Sequence, residues 1–105
     1  MIKFRVHIHG KHFLVRVIRK RWFRPDELLS KPAGFYTTRF VQAPNANEAL
    51  DEVLKNLRDE LDRDERTTGE SIMELVSIGE DEDGFDQYAP GAGYTFYWED
   101  PALPE

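Results

Sequence analysis

All three histidines of the chain fall between positions 7 and 12, close to the amino terminus. His7 and His9 are two residues apart, so their imidazoles would point to the same side of a β-strand. A tight turn after His9 would place His12 beside them, and three imidazoles suffice to hold Zn²⁺ with a fourth coordination position open. The histidines therefore form a candidate metal site. The alternative is a solvated polar face, because the neighbouring lysines and arginines repel a divalent cation and no nearby acid orients an imidazole.

Basic residues are concentrated at the same end of the chain. The net charge is −6, yet residues 1–24 hold eight lysines and arginines and no acid, while residues 25–105 hold six bases and all twenty acids. Cations that bind phosphate, together with aromatic rings on which bases stack, are typical of nucleic-acid-binding surfaces. The candidate residues for such a surface are Lys3, Arg5, Arg16, Arg19, Lys20, Arg21, Trp22 and Arg39. The alternative is that acids of the same fold neutralise the basic segment.

The element expected to position the histidines and most of these cations is an N-terminal β-hairpin. Residues 2–9 alternate strictly between apolar and polar side chains, which predicts a strand with one apolar face. Gly10 and Lys11 suit the two central positions of a type II′ turn, and residues 12–18 predict a second strand. In this register His9 would face His12 across the hairpin.

The clearest helix signal lies in the middle of the chain. Asn45 and Glu48 have the spacing of a capping box, in which side chains bond free backbone amides at a helix start. Apolar residues then recur at helical spacing, so residues 46–62 predict an amphipathic helix with a wet, acidic outer face.

The remaining pattern predicts strands separated by polar connections. The expected elements are a helical turn at 25–29, strands at 35–43, 72–78 and 94–99, and an acidic loop at 80–93. Together they predict one α+β domain over residues 1–100 and an extended tail at 101–105. The elements follow one another along the chain in the order β-β-β-α-β-β, and the five strands form a strongly bent, mainly antiparallel sheet. An open two-layer sheet-plus-helix sandwich is the alternative. A lone helix covers one sheet face, so the other must be solvated, curl onto itself or be covered by a second copy.

Several kinds of chemistry find no support in the composition. Without cysteine there are no disulfides, thiolate metal ligands or thiol nucleophiles. No run of eighteen apolar residues predicts a membrane span, and no signal-peptide pattern is present, so we expect a cytoplasmic protein without a membrane partner. The acidic run ending at Gly84 lacks both anchor acids of a calcium loop, and no serine lies in a nucleophile-elbow context. We therefore expect neither a cofactor nor an enzymatic activity.

Two resemblances accompany this interpretation. Residues 34–43 read GFYTTRFVQA, and Glu48 and Ala49 follow in the predicted helix. This pattern resembles one found in small uncharacterised bacterial proteins, which implies no particular activity. Five short strands in a bent sheet are similar in outline to the Sm-like small barrels, and that resemblance implies assembly into rings and binding of RNA.

The sequence leads to two functional hypotheses. The first is a noncatalytic, self-associating interaction module whose partner is a second copy or another protein. Apolar residues on both faces of the strands, together with one basic and one acidic part of the chain, provide a binding surface without a reaction centre. The second is binding of RNA or another single-stranded nucleic acid through the basic N-terminal hairpin.

Overall fold

Two long strands that pair along most of their length form the centre of the fold in the computed structural model, which describes residues 1–19, 22 and 27–99. The elements in chain order are β1 (Ile2–Arg19), β2 (Glu27–Ala43), α1 (Ala46–Arg63), β3 (Ile72–Glu80), α2 (Glu82–Tyr88) and β4 (Thr95–Trp98). All strand pairs are antiparallel, and the sheet has the order β3-β1-β2-β4.

The architecture is α+β, as expected, but the numbers of elements differ from the prediction. Over the described ranges there are four strands and two helices, where the sequence predicted five strands and one helix. The edge strands β3 and β4 do not pair with each other, so the sheet is open. The sheet therefore does not close on itself, and α1 packs against one of its faces.

The predicted N-terminal hairpin is wrong. β1 runs without a turn from Ile2 to Arg19 and pairs with β2 on both sides of Gly10. His9 consequently lies opposite Tyr36 on β2 and not opposite His12. β1 instead pairs with β2, from Ile2 opposite Ala43 to Arg19 opposite Glu27.

A β-bulge explains why the sequence pattern was misleading. Lys11 and His12 together lie opposite the single residue Gly34, and His12 adopts a positive φ of 64°. The extra residue shifts the alternation by one position, so that Ile8 before the bulge and Phe13 after it are buried on the same side of the sheet. A two-residue turn would produce the same shift, which is why alternation alone did not distinguish the two arrangements.

The prediction of α1 is confirmed, and its start follows from local chemistry. The Asn45 side chain accepts a hydrogen bond of 2.9 Å from the Glu48 backbone N–H, which caps the helix at Ala46. One stripe of α1 is buried against the sheet and consists of Ala49, Val53, Leu57 and Leu61.

Phe35 on β2 occupies the middle of this core and is fully buried. Its ring centroid lies 5.0 Å from that of Phe13, 4.9 Å from that of Tyr94 and 6.1 Å from that of Phe96. Three rings from two other parts of the chain, β1 and the segment around the start of β4, therefore surround it, and it has little freedom to move.

Two other predicted segments also differ. The expected helical turn at 25–29 is strand from Glu27 onward, and its first two residues lie outside the described residues, as does the tail at 101–105. The expected acidic loop contains α2, which begins because the Asp81 side chain accepts a hydrogen bond of 2.9 Å from the Gly84 backbone N–H.

Neither of the helices in the described ranges combines the length and the apolar character that crossing a membrane requires.

The far half of the β1–β2 hairpin extends beyond the rest of the sheet. β3 pairs with β1 only as far as Lys11, and β4 pairs with β2 only from Ala33 onward. Residues 14–19 and 27–32 therefore form a two-stranded segment, here named the ribbon. The molecule measures 58 × 27 × 24 Å, and its radius of gyration of 16.4 Å exceeds the value of about 13 Å for a compact chain of this length.

Candidate functional site

The sheet face opposite α1, here named the open face, carries the polar side chains of the central strands. Side chains alternate along β1, so Arg5, His7, His9 and Lys11 follow one another on this face while their neighbours enter the core. α2 covers only one end of the open face, where Lys3 Nζ lies 5.3 Å from the centre of the Phe85 ring. The middle of the face is left accessible.

Four aromatic side chains pack together at this accessible centre and are here named the aromatic cluster. The rings of His9 and Tyr36 are stacked at 4.4 Å, and those of His7 and Tyr36 lie at 5.9 Å with nearly parallel planes. Tyr97 completes the cluster, with its hydroxyl 2.6 Å from His9 Nε2. Tyr36 and Tyr97 remain 41% and 37% exposed, so the cluster presents ring surface to solvent.

A glycine makes room for this arrangement. Gly34 lies opposite Tyr97, and a Cβ atom at Gly34 would come within 2.2 Å of the Tyr97 ring. The tyrosine ring therefore lies directly across the β2 backbone. Partial burial, and then the charge of nearby Glu99, raise the pKa of Tyr97.

A hollow of about 440 Å³ opens beside the aromatic cluster. Its walls are the rings of His7 and Tyr36 on one side and the segment from Ala92 to Thr95 on the other. The Thr38 hydroxyl lines it and lies 2.8 Å from His7 Nδ1. Its volume is in the range of small-ligand sites, and it combines ring surfaces with hydroxyl groups.

The histidine metal site is not assembled, because the bulge separates His12 from the other two histidines. The His12 imidazole lies 3.2 Å from Glu99 Oε1, and its backbone N–H donates to Glu99 Oε2 at 2.7 Å. An acid therefore does orient one imidazole, but it directly follows β4 and does not come from the N-terminal segment. No group of three or more potential metal ligands occurs within the described part of the chain.

Three of the candidate nucleic-acid-binding cations have acidic partners within the fold. Lys3 Nζ lies 2.5 Å from Asp86, a hydrogen bond that raises the pKa of Lys3. Arg5 lies 3.7 Å from Asp81. Arg16 pairs with the carboxylate of Glu65. Acids from later in the chain thus neutralise part of the basic N-terminal segment, which agrees with the alternative to a nucleic-acid-binding surface.

A fourth candidate, Arg39, lies on the core side of the sheet and is only 8% exposed. Its guanidinium donates to the Thr37 hydroxyl at 3.0 Å, to Glu60 at 3.1 Å and to the Gly93 carbonyl at 3.2 Å. The Tyr94 hydroxyl donates to the same carboxylate at 2.8 Å, and burial followed by this bond raises the pKa of Tyr94 to about 12. Arg39 therefore holds the segment before β4 against the sheet.

The same network lies at one side of a groove of about 690 Å³ between α1 and the edge of β2. The groove is bordered by acids and bases of α1 and by the segment that follows α2. Of the carboxylates that line it, Glu60 already accepts hydrogen bonds from Arg39 and Tyr94.

Three of the predicted cations and Trp22 remain to be placed. Arg19 ends β1, and Lys20 and Arg21 lie outside the described residues. Trp22 is 87% exposed.

Sequence reasoning missed Tyr36 and Tyr97 as candidate site residues. A usable signal was present, since each alternates with a core phenylalanine, Phe35 or Phe96, and so had to face the side opposite α1. What the alternation could not supply was the pairing that brings both tyrosines beside the histidines.

No family model, curated protein or solved structure matches the chain, so the two resemblances remain predictions.

Proposed function

We propose that this protein is a noncatalytic, self-associating interaction module, and that two copies associate by packing their ribbons against each other. The observation that carries the proposal is the ribbon itself. Hydrogen bonds with Arg66 and Glu99 hold the ribbon at Leu14 and Pro32, close to the sheet. An isolated two-stranded hairpin is only marginally stable in water, so a second ribbon packed along its length would stabilise it.

The apolar residues of the ribbon indicate the contact face. Val15, Val17 and Leu29 share the side of the ribbon that continues the core face, and all three are half-buried. None of them belongs to the core cluster under α1. A second ribbon laid across this face would remove the same three side chains of each copy from water, as a two-fold symmetric interface requires.

Charge complementarity favours a second copy as the partner. Residues 19–24, which continue from the end of β1, contain four bases and no acid. The sequence of α1 contains six acids and three bases. If two ribbons pack antiparallel, the far end of each approaches the body of the other copy, where α1 lies.

Sedimentation velocity over a wide range of protein concentration tests the proposal with two matched variants. Val17 is half-buried already, so association would bury about half of its side chain in each copy. Full burial of a valine contributes at least 1.5 kcal/mol, so two half burials contribute about 2 kcal/mol. The Val17→Ser substitution should therefore raise the dimer Kd roughly thirtyfold.

Val76→Ser is the control, because Val76 is 52% exposed on the edge strand β3 and lies far from the ribbon. We expect its dimer Kd to equal that of the unaltered protein. Raising the salt concentration should weaken dimers of both proteins, since it screens attraction between the basic and acidic segments. A monomer at every concentration would refute self-association. Dimers weakened by Val76→Ser and not by Val17→Ser would refute the ribbon as the contact.

A further inference from the structure

We infer that the open face binds single-stranded nucleic acid, with one base in the hollow beside Tyr36 and His7 and the backbone following the cations of β1. This activity is separate from self-association. It uses the aromatic cluster, whose two tyrosines the sequence did not single out, in place of the basic hairpin that the sequence predicted.

The aromatic cluster has the chemistry that unpaired bases require. Bases stack on exposed aromatic rings, and tyrosine and histidine both serve as such surfaces. Tyr36 is 41% exposed although three other rings pack around it, so part of its surface remains for a ligand. The Thr38 hydroxyl and the segment that ends at Thr95 supply polar groups at the rim of the hollow, where the edge of a base would lie.

The cations that β1 places on the open face would attract a polyanion, and the acids beside them, Asp81, Glu74 and Glu99, come from other parts of the chain. Every charged side chain that β1 itself places on the open face is a cation, and Arg5 and Lys11 flank the two histidines of the cluster. They lie six residues apart, which is about 20 Å along a strand. Duplex DNA would not place its bases on such a flat surface, whereas a single strand can lay them against the rings.

The acidic partners of these two cations present a small obstacle. Arg5 lies 3.7 Å from Asp81, and its side chain is 54% exposed. Lys11 lies 3.3 Å from Glu74, with 36% exposure. Exposed ion pairs of this kind contribute little to stability, so either cation can exchange its carboxylate for a phosphate.

The open face also remains free in the proposed dimer. Val15 and Val17 lie on the opposite side of the sheet from His7 and His9, because the bulge carries the core face forward along β1. Nucleic-acid binding and self-association are therefore separable by mutation.

Fluorescence anisotropy with labelled ten-nucleotide single strands tests the inference. The probes are oligouridine, oligoadenosine and oligothymidine, with a ten-base-pair DNA duplex for comparison, all at 50 mM salt. We expect the single strands to bind and the duplex to bind more weakly. Tyr36→Leu should weaken single-strand binding about tenfold or more because it removes the stacking ring, and Tyr36→Phe should retain it.

Trp98→Leu is the matched control for loss of an exposed ring. Trp98 is 44% exposed but lies opposite Ala33 on the core side of the sheet, so its replacement should leave single-strand binding within about twofold. Arg5→Gln should lower the dependence of log Kd on log salt by roughly 0.7, the value for one phosphate contact. Circular dichroism checks that each variant is folded.

Several results would overturn the inference. They are the absence of single-strand binding at 50 mM salt, equal losses for Tyr36→Leu and Trp98→Leu, or tighter binding of the duplex. Capture of a protein partner that Tyr36→Leu abolishes, without any oligonucleotide binding, would also overturn it. Retention of single-strand binding by Val17→Ser, measured in parallel, separates failure of this inference from failure of the proposed dimer.

Discussion

Replacing Gly10 by alanine tests the central feature of the fold, the continuous β1 strand. The ring of Phe35 lies against the Gly10 backbone, and a Cβ atom built there would be 2.1 Å from Phe35 Cε2. Gly10 does not have a positive φ, so backbone conformation is not the obstacle. The obstacle is the volume of one methyl group in a filled core.

The magnitude follows from how tightly Phe35 is held. Phe35 is fully buried, and Phe13 and Tyr94 pack against it with centroids 5.0 Å and 4.9 Å away. Overpacking such a site costs about 1 to 3 kcal/mol and sometimes more. Restricting the unfolded chain by Gly→Ala returns only about 0.4 to 1 kcal/mol. We expect Gly10→Ala to lower the free energy of unfolding by about 2 kcal/mol.

Urea unfolding followed by circular dichroism measures this change, with Gly79→Ala as the matched control. Gly79 also lies in a strand and lacks a positive φ, but nothing lies within 4 Å of a Cβ built there. The control should be neutral or slightly more stable. For a urea dependence of about 1 kcal/mol/M, the midpoint of Gly10→Ala should fall by roughly 2 M.

A double mutant identifies the cause of the loss. Phe35→Leu shortens the side chain that the new methyl group meets, so Gly10→Ala should cost less in that background, by 1 kcal/mol or more. Additive effects of the two substitutions would refute the contact between Gly10 and Phe35.

Three further outcomes are expected from local contacts. Arg39→Met should lower the free energy of unfolding, measured in urea, by about 2 kcal/mol. This loss is smaller than for a fully buried ion pair because the side chain of the partner, Glu60, is 35% exposed. The pKa of Tyr94 is raised to about 12 in the folded protein, so the free energy of unfolding should fall as the pH rises from 10 to 12. In unfolding curves measured over this range, Tyr94→Phe should remove the part of the fall that is due to Tyr94. Asn45→Ala and Asp81→Ala should each cost about 1 kcal/mol of unfolding free energy, as loss of a helix cap does, and unchanged midpoints would contradict the capping roles.

The parts of the fold that the sequence predicted correctly are those decided by residues close together in the chain. α1 is the clearest case, because its cap at Asn45 and its apolar stripe are both set within one segment, and the expected range of 46–62 agrees with the observed Ala46–Arg63. The strand character of residues 2–9 and 72–78 was equally readable from alternation and composition.

What required the tertiary structure was the choice of partner for each strand. Alternation changes phase at Gly10, and both a turn and a bulge satisfy that change, so only pairing of β1 with β2 across the whole length decides between them. The same pairing brings Tyr36 beside His9 and leaves His12 with Glu99, residues that lie 27 and 87 positions away from them in the chain. Residue types and spacing alone therefore indicated a basic, histidine-containing strand, and contacts between distant segments decided which side chains share a site.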